Sequence, residues 1–137
     1  MDTDHLVSRL LAAYNEHDTA AAAALYADDA RHVEMSSGRS QQGPGAIAAG
    51  LGYLLRSFPD AVWAVRDVIG GDGRTAVRYT LTGSLQADFG PYPARGQQLC
   101  LPGVLVVHQD GDRIDHAEDY WDAATFARQM AATGPGA

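Results

Sequence analysis

Nine residues near the C-terminus, Ile114 to Asp122 (IDHAEDYWD), hold four acids, one histidine and two large aromatics. Such a group can do proton-transfer chemistry if one carboxyl is taken out of water, because burial in an apolar pocket disfavours the carboxylate and raises its pKa toward neutrality. The stretch follows the turn Asp110-Gly111-Asp112-Arg113 and reads as a last strand. Strand alternation puts Asp115, Ala117, Asp119 and Trp121 on one side and His116, Glu118, Tyr120 and Asp122 on the other. Asp119, set between Ala117 and Trp121 on its own face, is the acid best placed for an apolar pocket, and Trp121 is the expected wall of that pocket. The ordinary reading of the remaining acids is a solvated strand that resists edge-to-edge association.

Other chemistries find little support. His32 and Glu34 point the same way on a short strand, Ala30 to Met35, but no cysteine pair or third histidine shares their spacing, so no metal is expected. Activity should therefore survive chelators. Cys100 is the only cysteine; it excludes an internal disulfide and reads as a small buried hydrophobe in a strand. There is no Ser-His-Asp or phosphate-loop signature, and Gly70-Gly71-Asp72-Gly73 is a hairpin turn with no helix after it. Tyr14, Tyr53 and Trp63 either line a cavity or are plain core. His108 and His116 face solvent, a subunit interface or substrate.

The chain is 137 residues long, enough for one domain (1–137) with a real core. A net charge of -7 and scattered basic residues argue against nucleic acid or an anionic membrane as partner, and favour a small or neutral one. The N-terminus lacks the features of a signal peptide and no apolar run approaches membrane-spanning length, so a soluble cytoplasmic protein is expected.

The elements that must position these residues follow from periodicity. Leu6, Val7, Leu10, Leu11 and Tyr14 predict an amphipathic first helix capped by Thr3 or Asp4. Asn15-Glu16-His17-Asp18 breaks it, and Asp18 or Thr19 caps an alanine-rich second helix to about Tyr26. Ser36 to Gly43 reads as a loop that could lie over a cavity mouth. Pro44 opens a third helix through Ser57. Ala61 to Ile69, Thr75 to Ser84 and Gln97 to His108 are strand-like and make a meander with the last strand. Pro102-Gly103 favours an edge position or a bulge in the third of these. Gln86 to Arg95 is a loop, Ala123 to Ala132 a closing helix, and 133–137 a disordered tail. The fold class is α+β: a strongly curved antiparallel sheet, packed with three N-terminal helices into a cone with an interior cavity.

In the order and content of its blocks, AAYNEHDTAAAAALYADDA, GPGAIAAGLGYLLRSFPDA and GPYPARGQQLCLPGVLVVHQDGDRIDHAEDYWDAATFARQM, the chain resembles the SnoaL-like polyketide cyclases of the nuclear transport factor 2-like superfamily. The resemblance implies a cone, a homodimer, no metal or organic cofactor, and intramolecular aldol closure of an aromatic polyketide ester by an aspartate on the last strand just before an aromatic. That position is Asp119, followed by Tyr120. His32 matches a pocket position that would hydrogen-bond a substrate carbonyl or hydroxyl, or act as a structural donor. Where the family commonly has a histidine two residues before the aspartate, this chain has Ala117. Related epoxide hydrolases use an Arg-x-Asp pair, and the analogous strand here reads Arg78-Tyr79-Thr80. Ketosteroid isomerases of the same fold build an oxyanion hole from a tyrosine and an acid, a part open to Tyr14 or Tyr53. The readings carried forward are a cofactor-independent cyclase or isomerase of secondary metabolism, an epoxide-opening enzyme, and a non-catalytic small-molecule binding module.

Overall fold

A computed structural model describes residues 3–132, with side chains from residue 5 onward, so the Thr3 or Asp4 cap lies outside the described residues, as does the tail. In chain order the elements are α1 (Thr3–Asn15), α2 (Thr19–Ala23), β1 (Tyr26–Glu34), β2 (Arg39–Gln42), α3 (Pro44–Ser57), β3 (Val62–Gly71), β4 (Arg74–Ser84), β5 (Gln98–Asp110), β6 (Arg113–Trp121) and α4 (Ala123–Met130). The strands form one curved sheet in the order β2-β1-β6-β5-β4-β3, and it is not closed into a barrel.

α1 buries Leu6, Val7, Leu10, Leu11 and Tyr14, the stripe its periodicity defines. Its end is held by chemistry in the breaking residues. The Asn15 side chain donates to the Trp63 carbonyl (3.0 Å) and accepts from the Trp63 amide (2.8 Å). His17, with φ 58°, places Nε2 2.8 Å from the Ala61 carbonyl. These bonds tie the helix turn to the start of β3. Asp18 then caps α2 by accepting from the Ala21 amide at 3.0 Å.

Two expectations fail in the next stretch. α2 ends at Ala23 rather than near Tyr26, and Tyr26 to Asp29 belong to β1, because Leu25 and Tyr26 bury themselves against the sheet where Ile114 donates to the Leu25 carbonyl. Tertiary pairing overrides the helix propensity of the alanine run. Arg39 to Gln42 is also no loop: it is β2, antiparallel to β1 from Arg31↔Gln42 to Glu34↔Arg39. Only the turn at Met35 to Gly38 separates the two.

β3 to β6 form the expected meander. Asp72 and Gly73 both have positive φ (53° and 76°), the two-residue turn whose twist suits a hairpin; at the β5–β6 turn only Gly111 does (63°). β1 lies parallel to β6, from Arg31↔His116 to Glu34↔Asp119. Pro102-Gly103 does not mark an edge strand, since β5 lies inside the sheet. β6 stops opposite Gly103, so Pro102 has a strand neighbour only on the β4 side, and its nitrogen, turned like that of Cys100 to the vacated side, leaves no ladder partner unpaired. Just beyond, the Gln129 side chain of α4 accepts from the Cys100 amide (2.9 Å) and donates to its carbonyl (2.8 Å), closing the free edge. Cys100 itself is exposed rather than buried: Leu99 and Leu101 take the inward positions and alternation turns the thiol out.

Candidate active site

The concave face of the sheet, α3, α4 and the segment 86–95 enclose a cavity of about 530 Å³. Its wall is mostly aromatic and aliphatic. Tyr53 stacks on Phe89 (centroids 5.0 Å apart), Phe126 meets Phe89, Tyr92 and Trp121 edge-on, and Tyr14 packs on Trp63 at 4.9 Å. Tyr53 also accepts from the Gly90 amide at 2.7 Å, which pins the 86–95 loop over the cavity. The Gln97 amide, fully buried, donates to the carbonyls of Pro93 (2.8 Å) and Met130 (3.0 Å), tying that loop to α4.

The polar floor is built by strand register. On the concave face His32 stands beside Ala117, and one step on Glu34 stands beside Asp119. The small Ala117 side chain is flanked by an imidazole from the neighbouring strand, and two carboxyls are held as lateral neighbours. Asp119 accepts a 2.6 Å hydrogen bond from the Tyr79 hydroxyl. Glu34 accepts from Trp121 Nε1 (2.8 Å) and lies 3.2 Å from His32 Nε2, whose ring partner on the other side is the Tyr26 hydroxyl at 3.5 Å. Tyr26 in turn hydrogen-bonds Tyr14.

These contacts divide the labour between the acids. Burial is the main force on Asp119, and the neighbouring Glu34 carboxylate adds to it; the Tyr79 hydrogen bond and His32 oppose them, and its pKa is pushed up to about 7. Burial also works against charge on Glu34, but the hydrogen bond and charge of His32, then Trp121 and Arg39, outweigh it and hold Glu34 below the ordinary carboxylate range. For His32, burial disfavours the imidazolium, while bonding to Glu34 and the fields of Glu34 and Asp119 raise its pKa overall. Burial, with the carboxylate fields added, pushes the Tyr79 hydroxyl far up, so it serves as a fixed donor.

Tyr79 reaches Asp119 across an intervening strand. It sits on β4 opposite Gly103 of β5, and a Cβ at Gly103 would collide with the phenol ring and hydroxyl. Gly103 therefore keeps open the lane over which the ring lies.

Asp119, His32, Tyr14, Tyr53, Trp63 and Trp121 all line this cavity. The sequence reading gave Glu34 only as half of an unsupported metal pair and gave Tyr79 and Tyr26 no role. The shared face of His32 and Glu34 was the available signal for Glu34; none marked Tyr79, because its role depends on a glycine of another strand. Asp115 departs from simple alternation. A register shift between His108↔His116 and Gln109↔Ile114 makes it a bulge residue, exposed instead of sharing the face of Asp119. His108 and His116 lie on the convex face, away from the cavity. Arg78 is on that face too, 3.8 Å from Asp67, so the strand offers the cavity no Arg-x-Asp pair.

The α+β cone is the ketosteroid isomerase-like fold: a Catenulispora acidiphila protein of that fold superposes with a TM-score of 0.78 at 15% identity over 91% of both chains. The family is narrower. The SnoaL-like polyketide cyclase profile matches residues 4–130, and the chain belongs to that family. Solved structures similar to it include a candidate polyketide cyclase of Pseudomonas putida (26% identity, 96% of this chain and 99% of that one, TM-score 0.82). Another is a candidate SnoaL-like polyketide cyclase of Shewanella denitrificans (16% identity, 93% and 96%, TM-score 0.85). No curated protein matches the sequence significantly. No helix among the described residues is long and apolar enough to cross a membrane.

Proposed function

We propose that this protein is a cofactor-independent cyclase of polyketide-type secondary metabolism, acting in the cytoplasm on a mostly apolar, oxygenated ring substrate. The observation that carries the reading is the Asp119 carboxyl, hydrogen-bonded to the buried Tyr79 at the floor of an open apolar cavity, where desolvation and the Glu34 carboxylate push its pKa up to about 7. Ionised Asp119 removes a proton from a carbon flanked by carbonyl groups. The enolate carbon attacks a second carbonyl carbon of the same molecule, a C–C bond forms, and the resulting alkoxide takes the proton back from Asp119. Atoms and charge balance without an external reagent. His32 supplies a donor as negative charge moves onto oxygen, while Tyr79 keeps its single O–H on Asp119. The aromatic walls, Tyr14, Tyr53, Trp63 and Trp121, hold the reactive conformer; ring closure is already intramolecular and gains chiefly from that restraint. An open cavity supports this reading over a scaffold packed with its own side chains.

The test is turnover of an aromatic polyketide ester bearing an acidic methylene and an internal ketone. Asp119→Asn should lower kcat by about 10²- to 10⁴-fold with little change in KM, since Asn keeps the shape and cannot accept the proton. Asp115→Asn, a change of charge on the exposed bulge, should cost far less. Near-full turnover by Asp119→Asn would show that another group is the acid/base, and solvent oxygen in the product from labelled water would replace the aldol reading with epoxide opening.

A further inference from the structure

The lateral rows that bring Glu34 beside Asp119 continue one strand further. Register places Arg39 of β2 beside Glu34 and Gln41 beside His32, and all of these side chains line the cavity. Polarity therefore changes across the sheet. The β2 end of the concave face offers Arg39 and Gln41, the middle holds the acids and the imidazole, and the far end presents Leu99 and Leu101 of β5, Leu81 of β4 and Trp63 of β3.

Most polar groups along this path are already committed: Asp119 to Tyr79, Glu34 to Trp121 and His32, and Tyr53 to the Gly90 amide. Arg39 and Gln41 are not. Neither side chain hydrogen-bonds to a described residue, and Glu34 feels the Arg39 charge only as the smallest of the influences on it. An arginine at a sheet edge is ordinarily a solvated charge. Two observations set this one apart. It is the only Lys or Arg among the described residues that line the cavity. The neighbouring Gln41 is also packed in place, since a Cβ on Gly50 would lie 3.1 Å from its Nε2; that glycine, inside α3, leaves the room the amide occupies. His32 and Glu34 pair with each other, so Arg39 is the cation left unmatched at this end of the cavity.

From this arrangement we propose that the substrate carries a free carboxylate, held by the Arg39 guanidinium at the β2 end of the cavity with Gln41 donating to an adjacent oxygen, while its hydrocarbon part lies toward β5 and β3. The proposal rests on the cavity being the substrate site of the cyclase reading. A guanidinium presents a planar fork of donors that matches a carboxylate. Arg39 and Asp119 stand two strand spacings apart, about 10 Å at the backbone, so the carboxylate and the carbon that loses its proton belong to different parts of the molecule. Arg39 holds the carboxylate equally before and during ring closure, so the contact lowers KM and leaves kcat unchanged. A substrate esterified at that group is still turned over, with a higher KM.

An anthraquinone carboxylate and its methyl ester are flat, oxygenated and unable to undergo the closure, so their binding reads recognition apart from chemistry. The chain's net charge of -7 would by itself disfavour the anion. Calorimetric titration of the full chain at low salt should nevertheless show the acid binding at least about fivefold tighter than the ester, with the preference shrinking in about 0.5 M salt. Arg39→Gln should bring the two affinities together by weakening the acid alone, and Arg39→Lys should keep part of the preference, because it keeps the charge and loses the fork. Both variants should leave circular dichroism unchanged, since Arg39 is exposed. Equal affinities in the wild type, no binding of the acid at millimolar concentration, or a preference that survives Arg39→Gln or ignores salt would each overturn the proposal. A wild type that prefers the acid but turns over no polyketide ester would refute the cyclase reading and leave the carboxylate site in place.

Discussion

Asp119 and Glu34 are register neighbours, and burial with mutual repulsion forces one of the pair toward the neutral form. The His32 imidazole sides with Glu34, so Asp119 is the carboxyl that titrates near neutrality. Because ionised Asp119 is the base, kcat/KM should rise with pH through about 7. Tyr79→Phe removes a hydrogen bond that favours the carboxylate, so this acid limb should move to higher pH; a limb that stays put or moves down would separate Tyr79 from Asp119. The same shift has a stability cost. A carboxyl whose folded pKa lies above its unfolded value contributes stability that is complete below the unfolded pKa and is lost as pH rises through the folded one. Here that window runs from about 4 to about 7. Asp119→Asn, neutral throughout, should therefore be more stable than the wild type at pH 8, by at least about 1 kcal/mol or several degrees in Tm, and show a smaller advantage at pH 5. Thermal melts at the two pH values measure this, and equal melts at pH 8 would contradict the buried-acid reading.

At the scale of elements, the site depends on a lane across β5. Gly103→Ala puts a methyl group where the Tyr79 ring lies, so the ring must move or the strand must give. A stability loss of about 1 to 3 kcal/mol is expected, with the acid limb of the pH–rate profile shifted up as in Tyr79→Phe. Denaturant melts and rate profiles test the two effects separately; a shifted profile combined with intact stability would show that the ring relocates freely. The Pro-Gly pair, read from sequence as an edge or bulge, is interior at the glycine and edge-like at the proline, because β6 ends between them. Residue type could announce an irregularity at that point. It could not say that a phenol from one strand would pass over the glycine to a carboxyl two strands away.

At the scale of the molecule, the convex face leaves Tyr120 42% exposed, with Val104 and Val106 half-buried in two adjacent rows beside it. A homodimer formed by this face would bury them. Light scattering at micromolar concentration should give twice the chain mass, and Val106→Asp should give monomers of unchanged circular dichroism. A wild-type monomer would count against the dimer. Chelators should leave turnover unchanged, since the proposed ring closure uses no metal; loss of turnover restored by zinc would instead place a metal on His32, Glu34 and Asp119.

Local chemistry in the chain was enough to specify the α1 stripe, the Pro44 start and Ser57 end of α3, the meander with its Asp-Gly and Gly-Asp turns, and Asp119 as an acid between apolar neighbours. Each is set by residues a few positions apart, through helical or strand period and through glycine's access to positive φ. The tertiary structure decided what depends on partners distant in sequence. It ended α2 at Ala23, drew Tyr26 to Asp29 into β1 and took Arg39 to Gln42 out of a loop, since strands form only where a neighbour offers a ladder. It exposed Asp115 through a bulge that pattern alone cannot place. It also joined Glu34 to Asp119 across a parallel pair of strands from opposite ends of the chain, and Tyr79 to Asp119 over Gly103. The pKa of a carboxyl depends on such neighbours, so the acid was legible in the sequence while its tuning was not.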